Sequence, residues 1–337
     1  MTGPPTPLLN RVSVEDLSTS DITLSANGTL VYEPAGSNRT WQLAWMTREG
    51  QATPVDPGWT GRFRHPSLSP DGRQVAVTGV TAESHIWIKQ LDRGPNSKLT
   101  FEGSANTRPV WLPDGKRIAY TSDAQGSAGA FVKRADGSSP AELALRTTLP
   151  VVEIEWARDG TWAVLRLGTS PRGDLYAFRP GTDTVPTQLF VSQFDEAGPA
   201  LSPDHRWLAY SSNESGRPEI FVRPFPNSST AKWQVSTNGG TEALWAHSGR
   251  ELFYKDGENQ LVSVPVLAGT TFTFGSGHTL FSVLGTVPPD AGHRMYDVSP
   301  DDKRFLMIRP QASGDTMIPL IVVDNFLTEL RQRVGAK

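Results

Sequence analysis

The chain has 337 residues, 37% of them hydrophobic, and a net charge of −3 at pH 7. This is enough apolar material for a large core, and no basic block is present to favour nucleic acid. With no cysteine there is no disulfide and no thiolate metal site, and no run of 18 apolar residues marks a membrane span.

Residues 1–5 are expected to be flexible, and nothing in them resembles a secretion signal. Residues 6–12, with Leu8 and Leu9, read like the outer-strand segment at 97–101 and offer a strand for closing a ring. At Ser25-Ala26-Asn27-Gly28 comes the first of seven related turns. The clearest is Ser69-Pro70-Asp71-Gly72, with the residues a type I turn prefers and a Gly able to take positive φ before the next strand. The position of Asp71 is taken elsewhere by Asn27, Asp114, Asp159, Asp204, Ser248 and Asp301, at successive spacings of 44, 43, 45, 45, 44 and 53 residues.

The flanks repeat as well. Three residues before each turn position stand Leu24, Leu68, Trp111, Trp156, Leu201, Trp245 and Val298, all large and apolar. After the turn the apolar residues alternate, as in Val75 and Val77, Ile118 and Tyr120, Leu208 and Tyr210, and Phe305 and Met307, which predicts a half-buried hairpin in each repeat. Third strands are predicted at 42–45, 86–89, 130–133, 175–178, 219–222, 261–264 and 320–323, and short fourth strands follow. A period of roughly 40–45 residues is that of a four-stranded propeller blade.

The expected fold is therefore all-β: a seven-bladed β-propeller over residues 6–323, a single domain in which residues 6–12 complete the last blade. Six blades with an irregular insertion is the alternative. The long sixth interval holds Phe272-Thr273-Phe274 and a loop at 285–293, either functional or merely tolerated. Residues 324–337 are predicted as a short helix and tail, with Asp324 as the cap and Phe326, Leu327, Leu330 and Val334 on one face.

Val110-Trp111-Leu112-Pro113-Asp114-Gly115-Lys116, followed by Ile118-Ala119-Tyr120, resembles the repeats of TolB-like (WD40-like) propellers, as do Ile86-Trp87-Ile88 and Lys98-Leu99-Thr100. A narrower resemblance is carried by residues 208–226, Trp233-Gln234-Val235-Ser236 and Tyr296-Asp297-Val298-Ser299-Pro300. These look like the sensor propeller that follows the kinase domain in bacterial serine/threonine receptor-type kinases. No kinase motif is present in this chain. The resemblance implies an extracytoplasmic or periplasmic sensor that binds a protein, a peptide or a small polar ligand. The chain's own features add no address: it reads as a soluble monomer, cytoplasmic if complete, or as an excised part of a larger receptor, with no membrane insertion of its own.

Six residues before the turn position stand Asp21, His65, Arg108, Glu153, Gly198, Glu242 and Met295, five of them ionisable. Each falls just before the innermost strand, so the register predicts a ring of polar side chains at one channel mouth, joined by Arg64, Asp195, Glu196, His293 and Arg294. Three readings stay open at this point. The ring is a polar ligand site, or the ordinary solvated lining of a channel, or a divalent-cation site in which Asp21, His65, Glu153 and Glu242 hold an ion such as calcium for an ester, lactone or phosphoester hydrolase. No catalytic residue is assigned and no organic cofactor is expected. Glycine-rich phosphate loops, nucleophile elbows and zinc-protease motifs are all absent from the sequence.

Overall fold

The repeated turn folds by bonding to itself. In the computed structural model, which describes residues 14–15, 19–20, 22–32, 40–92, 94–126, 128–168, 172–267, 269–287, 292–311 and 321–334, Ser69 Oγ donates to the Asp71 carboxylate at 2.6 Å. The Arg73 N–H donates to the same carboxylate and the Gln74 N–H to Ser69 Oγ. The same Ser–Asp lock recurs at Ser202–Asp204 and Ser299–Asp301. There the left-handed position that Gly72 fills is taken by His205 and Asp302, with φ of 56° and 59°.

Each turn joins the first two strands of an antiparallel sheet. Among the described residues, six such sheets lie within residues 41–310. The first contains Phe63–Leu68, Gln74–Val80, Ser84–Gln90 and Asn96–Lys98; the second contains Asn106–Trp111, Arg117–Ser122, Gly129–Arg134 and Glu142–Leu145. The third is built from Val151–Trp156, Ala163–Leu167, Asp174–Phe178 and Thr187–Gln188, the fourth from Glu196–Leu201, Trp207–Ser212, Glu219–Pro224 and Trp233–Gln234. The fifth has Thr241–Trp245, Glu251–Lys255, Gln260–Leu267 and His278–Ser282, with Thr273–Phe274 paired to the far end of its third strand. The sixth joins the two ends of the unit: Tyr296–Val298 and Arg304–Pro310 pair with Trp41–Thr47 and Ala52–Pro54. First strands of the first to fifth sheets are successive neighbours, the fifth and sixth sheets share a buried cluster of Leu244, Phe253, Val298 and Phe305, and the first sheet packs against the sixth, so the ring closes.

Packing between sheets explains the apolar flank of the turn. Trp111 Nε1 donates to the Ser67 carbonyl at 3.1 Å and Trp245 Nε1 to the Ala200 carbonyl at 3.0 Å, each reaching back one repeat. A buried indole thus fills the space between two sheets while its one polar atom is satisfied. The insertion in the sixth interval is used the same way: Phe272 is buried among Trp207, Trp233, Trp245 and Phe274, between the fourth and fifth sheets.

The propeller is as expected, but its closure is not. Residues 320–323 were expected beside the last hairpin, with residues 6–12 outside them. Instead Arg304–Pro310 pairs along its whole length with Trp41–Thr47. Two seven-residue strands in full register outcompete a pairing with the three-residue Ile321–Val323. That short strand pairs with Leu30–Tyr32, which also pairs with Ile22–Leu24, in a three-stranded sheet of a separate unit formed by residues 1–40 and 311–337. Among the described residues the first predicted hairpin therefore belongs to a three-stranded sheet, and six sheets of four or five strands lie within residues 41–310. Residues 6–12 lie outside the described residues.

The helix spans Phe326–Val334 in the same separate unit. Asp324 Oδ1 accepts from Thr29 Oγ1 at 3.3 Å, so its carboxylate ties the helix start to the turn at Gly28, against which Leu327 packs.

Candidate functional site

The ring of polar residues predicted from spacing coincides with a repeated backbone defect. The first strand of five sheets shifts register near its start, between Arg64 and Ser67, Thr107 and Val110, Val151 and Glu153, Ala197 and Ala200, and Thr241 and Leu244. In four of these bulges the residue six before the turn position is left-handed: His65, Arg108, Gly198 and Glu242, with φ of 51°, 54°, 59° and 61°. Pro66, Pro109 and Pro199 come next. Proline has no N–H to offer a ladder and is tolerated where pairing is already broken. A non-glycine residue held there costs on the order of 1–3 kcal/mol, so its surroundings must hold it in place.

They do so across sheet boundaries. Arg108 Nη1 donates to the Val152 carbonyl at 2.7 Å, and the Arg108 N–H donates to Thr78 Oγ1, which also bonds His65 Nδ1 at 3.1 Å. Glu153 Oε2 accepts from the Gly198 N–H at 2.8 Å, and its Oε1 lies 3.4 Å from His293 Nδ1. The rings of His65 and His293 meet edge to face with centroids 4.9 Å apart. Glu242 accepts from the Met295 N–H and from Lys255 Nζ, each at 2.8 Å. His65, Arg108, Glu153, Glu242, His293 and Met295 are all buried. Together they form a buried polar belt in which side chains of one sheet satisfy the backbone of the next.

Electrostatics follow from that enclosure. Burial pushes the Glu153 carboxyl up, but His293, Arg108 and Arg166 outweigh it and bring it down to about 2. Burial lowers the His293 pKa, assisted by Arg108 and Arg294 and opposed by Glu153. Glu153 is thus a fixed anion held by guanidinium groups and a peptide N–H. Glu196 differs: burial, with Asp174, Asp195 and Glu214 nearby, lifts it to about 7. Its Oε2 has no hydrogen-bond partner. Its neighbour Asp195 is engaged by Arg166 Nη2 and by the Gly173 N–H, each at 2.8 Å.

Arg294 and Arg158 are engaged as well. Arg294 meets Glu155 at 3.1 Å, and Arg158 Nη1 donates to His247 Nδ1 at 2.5 Å. The cleft lined by Glu153, Glu155, Gly198, His293 and Arg294 has no space for a water-sized sphere. Among the described residues no three His, Asp or Glu side chains are grouped to hold a metal ion. Of the four ligands considered for one, Asp21 lies outside the described residues, and Glu242 is already neutralised by Lys255.

The register therefore brings His65, Arg108, Glu153 and His293 together, while Glu242 meets Met295 and Lys255, Arg294 meets Glu155, and Glu196 stands by Ser212 at the start of the fourth sheet. Thr78, Arg166 and Lys255, which complete the belt, sit on second strands and carry no signal in the turn-based spacing. Sequence reasoning also passed over the loops that lead into the first strands. On four of them stand exposed large apolar side chains: Phe101 (67% exposed), Leu149 (46%), Val191 (87%) and Leu284 (65%). Their signal was present but weak, an apolar residue in a stretch where strand alternation has already stopped.

Closed six-sheet ring, bulged first strands and locked turns define a β-propeller. Residues 47–165 match the family model of the TolB beta propeller domain. The Protein TolB homolog of Chlorobium luteolum is 34% identical over 148 residues, which is 44% of this chain and 33% of that protein. The uncharacterized peptidase YuxL of Bacillus subtilis is 28% identical over 176 residues, half of this chain and 24% of that protein. The chain thus matches no more than a third of the length of these curated relatives. Among solved structures, the TolB structure from Agrobacterium tumefaciens superposes with a TM-score of 0.64 at 20% identity, covering 82% of this chain and 99% of that one. No helix among the described residues is long and apolar enough to cross a membrane.

Proposed function

We propose that this chain is a recognition propeller that binds a protein or peptide partner on the face where loops enter the first strands, around the mouth of the channel. The observation that carries the reading is the set of exposed apolar side chains on that face, Phe101, Leu149, Val191 and Leu284. Large apolar side chains kept in water on several loops of one face are what a partner's surface covers. The buried belt beneath them supports a rigid platform rather than a deep ligand pocket. The likeness to TolB-type propellers supports a binding or sensing role, and residues 208–226 support the finer assignment to a sensor propeller acting outside the cytoplasm.

The test is selection of peptides from a displayed random library on the immobilised chain, followed by affinity measurement of the selected peptides. Phe101→Asp with Val191→Asp should lower affinity at least tenfold. Val185→Asp, an equally exposed apolar site on a turn between third and fourth strands, should leave it within twofold. Equal loss in both variants, or in neither, sinks the assignment of this face.

A further inference from the structure

Beyond the loop face, a separate groove runs between the first and second sheets, on the side of the ring where the Ser-Pro-Asp-Gly turns lie. Its volume is about 480 Å³, within the roughly 300–1,000 Å³ typical of ligand sites. The outer strand Asn96–Lys98 forms one wall, and the turns at 115–116 and 134–137 form the other. Ile88, Leu99 and Ala135 supply apolar lining.

Its charge is one-sided. Arg134 is taken up by Asp136, with Nη2 at 2.7 Å from the carboxylate, and Asp136 also accepts from Ser138. That pair neutralises itself. Lys98 and Lys116 stand on opposite walls, and neither ammonium has a carboxylate partner among the described residues; Lys98 only overlies the Phe101 ring, at 5.3 Å. In a chain whose net charge is −3, a groove lined by two lysines without carboxylate partners and by Ile88, Leu99 and Ala135 is complementary to an acidic segment.

We propose that this groove binds an extended acidic peptide, with carboxylates on Lys98 and Lys116 and the intervening backbone and side chains lying on Ile88, Leu99 and Ala135. A free small carboxylate gains nothing from the apolar lining and has no second carboxylate tethered to it, so length is part of the recognition.

The probe is fluorescein-labelled hexaglutamate, followed by anisotropy at low ionic strength, with free glutamate as competitor. Saturable binding is expected, weakening as salt rises and not displaced by millimolar glutamate. Lys98→Glu with Lys116→Glu should weaken it at least tenfold. Ser97→Trp, which fills the groove without changing charge, should weaken it about fivefold or more. Lys303→Glu, a charge reversal on the turn of the sixth sheet, should change it less than twofold. Thermal melts of each variant report folding, and because Ser97, Lys116 and Lys303 are exposed all are expected to melt as the parent does. No saturable binding, full displacement by glutamate, or equal losses from Lys303→Glu and the groove variants overturns the proposal. The loop-face variant Val191→Asp, on the loop into the fourth sheet, tests the other reading without touching the ring that Lys98 overlies, so either can fail alone.

Discussion

Two regions of the ring face the same mouth and have opposite chemistry. The belt of His65, Arg108, Glu153, Glu242 and His293 is polar and buried; the loops carrying Phe101, Leu149, Val191 and Leu284 are apolar at exposed tips. The usual guide, polar for function and apolar for the core, is inverted here. Near the axis the first strands are short of partners on their inner side, and bulges leave their N–H and C=O groups unpaired. The polar side chains are consumed in answering them, as Glu153 answers Gly198 and Glu242 answers Met295. On the loops no backbone needs answering, and an apolar residue there does nothing for the fold.

If that contrast is right, the largest effect belongs to Glu153. Removing it leaves the buried Gly198 N–H without its acceptor and takes away the carboxylate beside His293, and Glu153→Ala should lose about 3–5 kcal/mol of stability in urea unfolding at pH 7. The acid limb of the stability curve sharpens the test. Held down to about 2 from 4.5, the carboxylate stabilises the fold above pH 4.5, and that contribution drains away as pH falls through 2. Glu153→Gln should therefore flatten the loss between pH 4.5 and 2. A Glu153→Ala variant as stable as the parent would return the belt to the status of a ligand site.

Glu196 carries the opposite sign. Its folded pKa is raised to about 7 from 4.5, so the protonated form is the one the fold favours. Its contribution is fully present below pH 4.5 and is lost as pH rises through 7, an effect on the order of 3 kcal/mol. Glu196→Gln should match the parent at pH 4 and exceed it at pH 8.5 by up to about that amount. Denaturation midpoints at the two pH values decide it, and a gain of the same size at both would mean that ionisation is not involved.

A smaller effect, about 1–3 kcal/mol, is expected of Trp245→Phe, which leaves the buried Ala200 carbonyl without its donor and a gap beside Phe272. Trp156 occupies the equivalent position in the third sheet but only half-buried, so Trp156→Phe should cost less. Equal costs would mean that the indole N–H contributes nothing to sheet-to-sheet cohesion.

How far the sequence reached depends on what the period encodes. Turn chemistry is local, so Ser69-Pro70-Asp71-Gly72 and its relatives disclosed every hairpin from Leu68 to Phe305, and the flanking Trp111 and Trp245 disclosed the packing surfaces. Position six before the turn disclosed the bulges as well, although as polarity rather than as backbone geometry. Pairing between distant segments is not local. Nothing in the alternation of Trp41–Thr47 says whether it joins the hairpin before it or the one at Arg304–Pro310, more than 250 residues later. Burial was equally hidden, because Glu153 reads as an ordinary exposed acid until Arg108, Arg166 and His293 are seen around it.

The smallest expected change in stability is on the loops, and it discriminates best for that reason. Leu149 and Leu284 lie on different loops, far from each other in sequence, and each is exposed. Leu149→Ser and Leu284→Ser should each shift stability by no more than about 0.5 kcal/mol, since neither substitution opens a cavity or strands a polar group. Both should weaken binding of peptides selected on the parent chain, and the double variant should be near the sum of the two, because side chains on separate loops with no shared partner act independently. Should either substitution cost several kcal/mol in stability, that loop belongs to the core, and the division between a belt that holds the ring and loops that meet a partner fails at that blade.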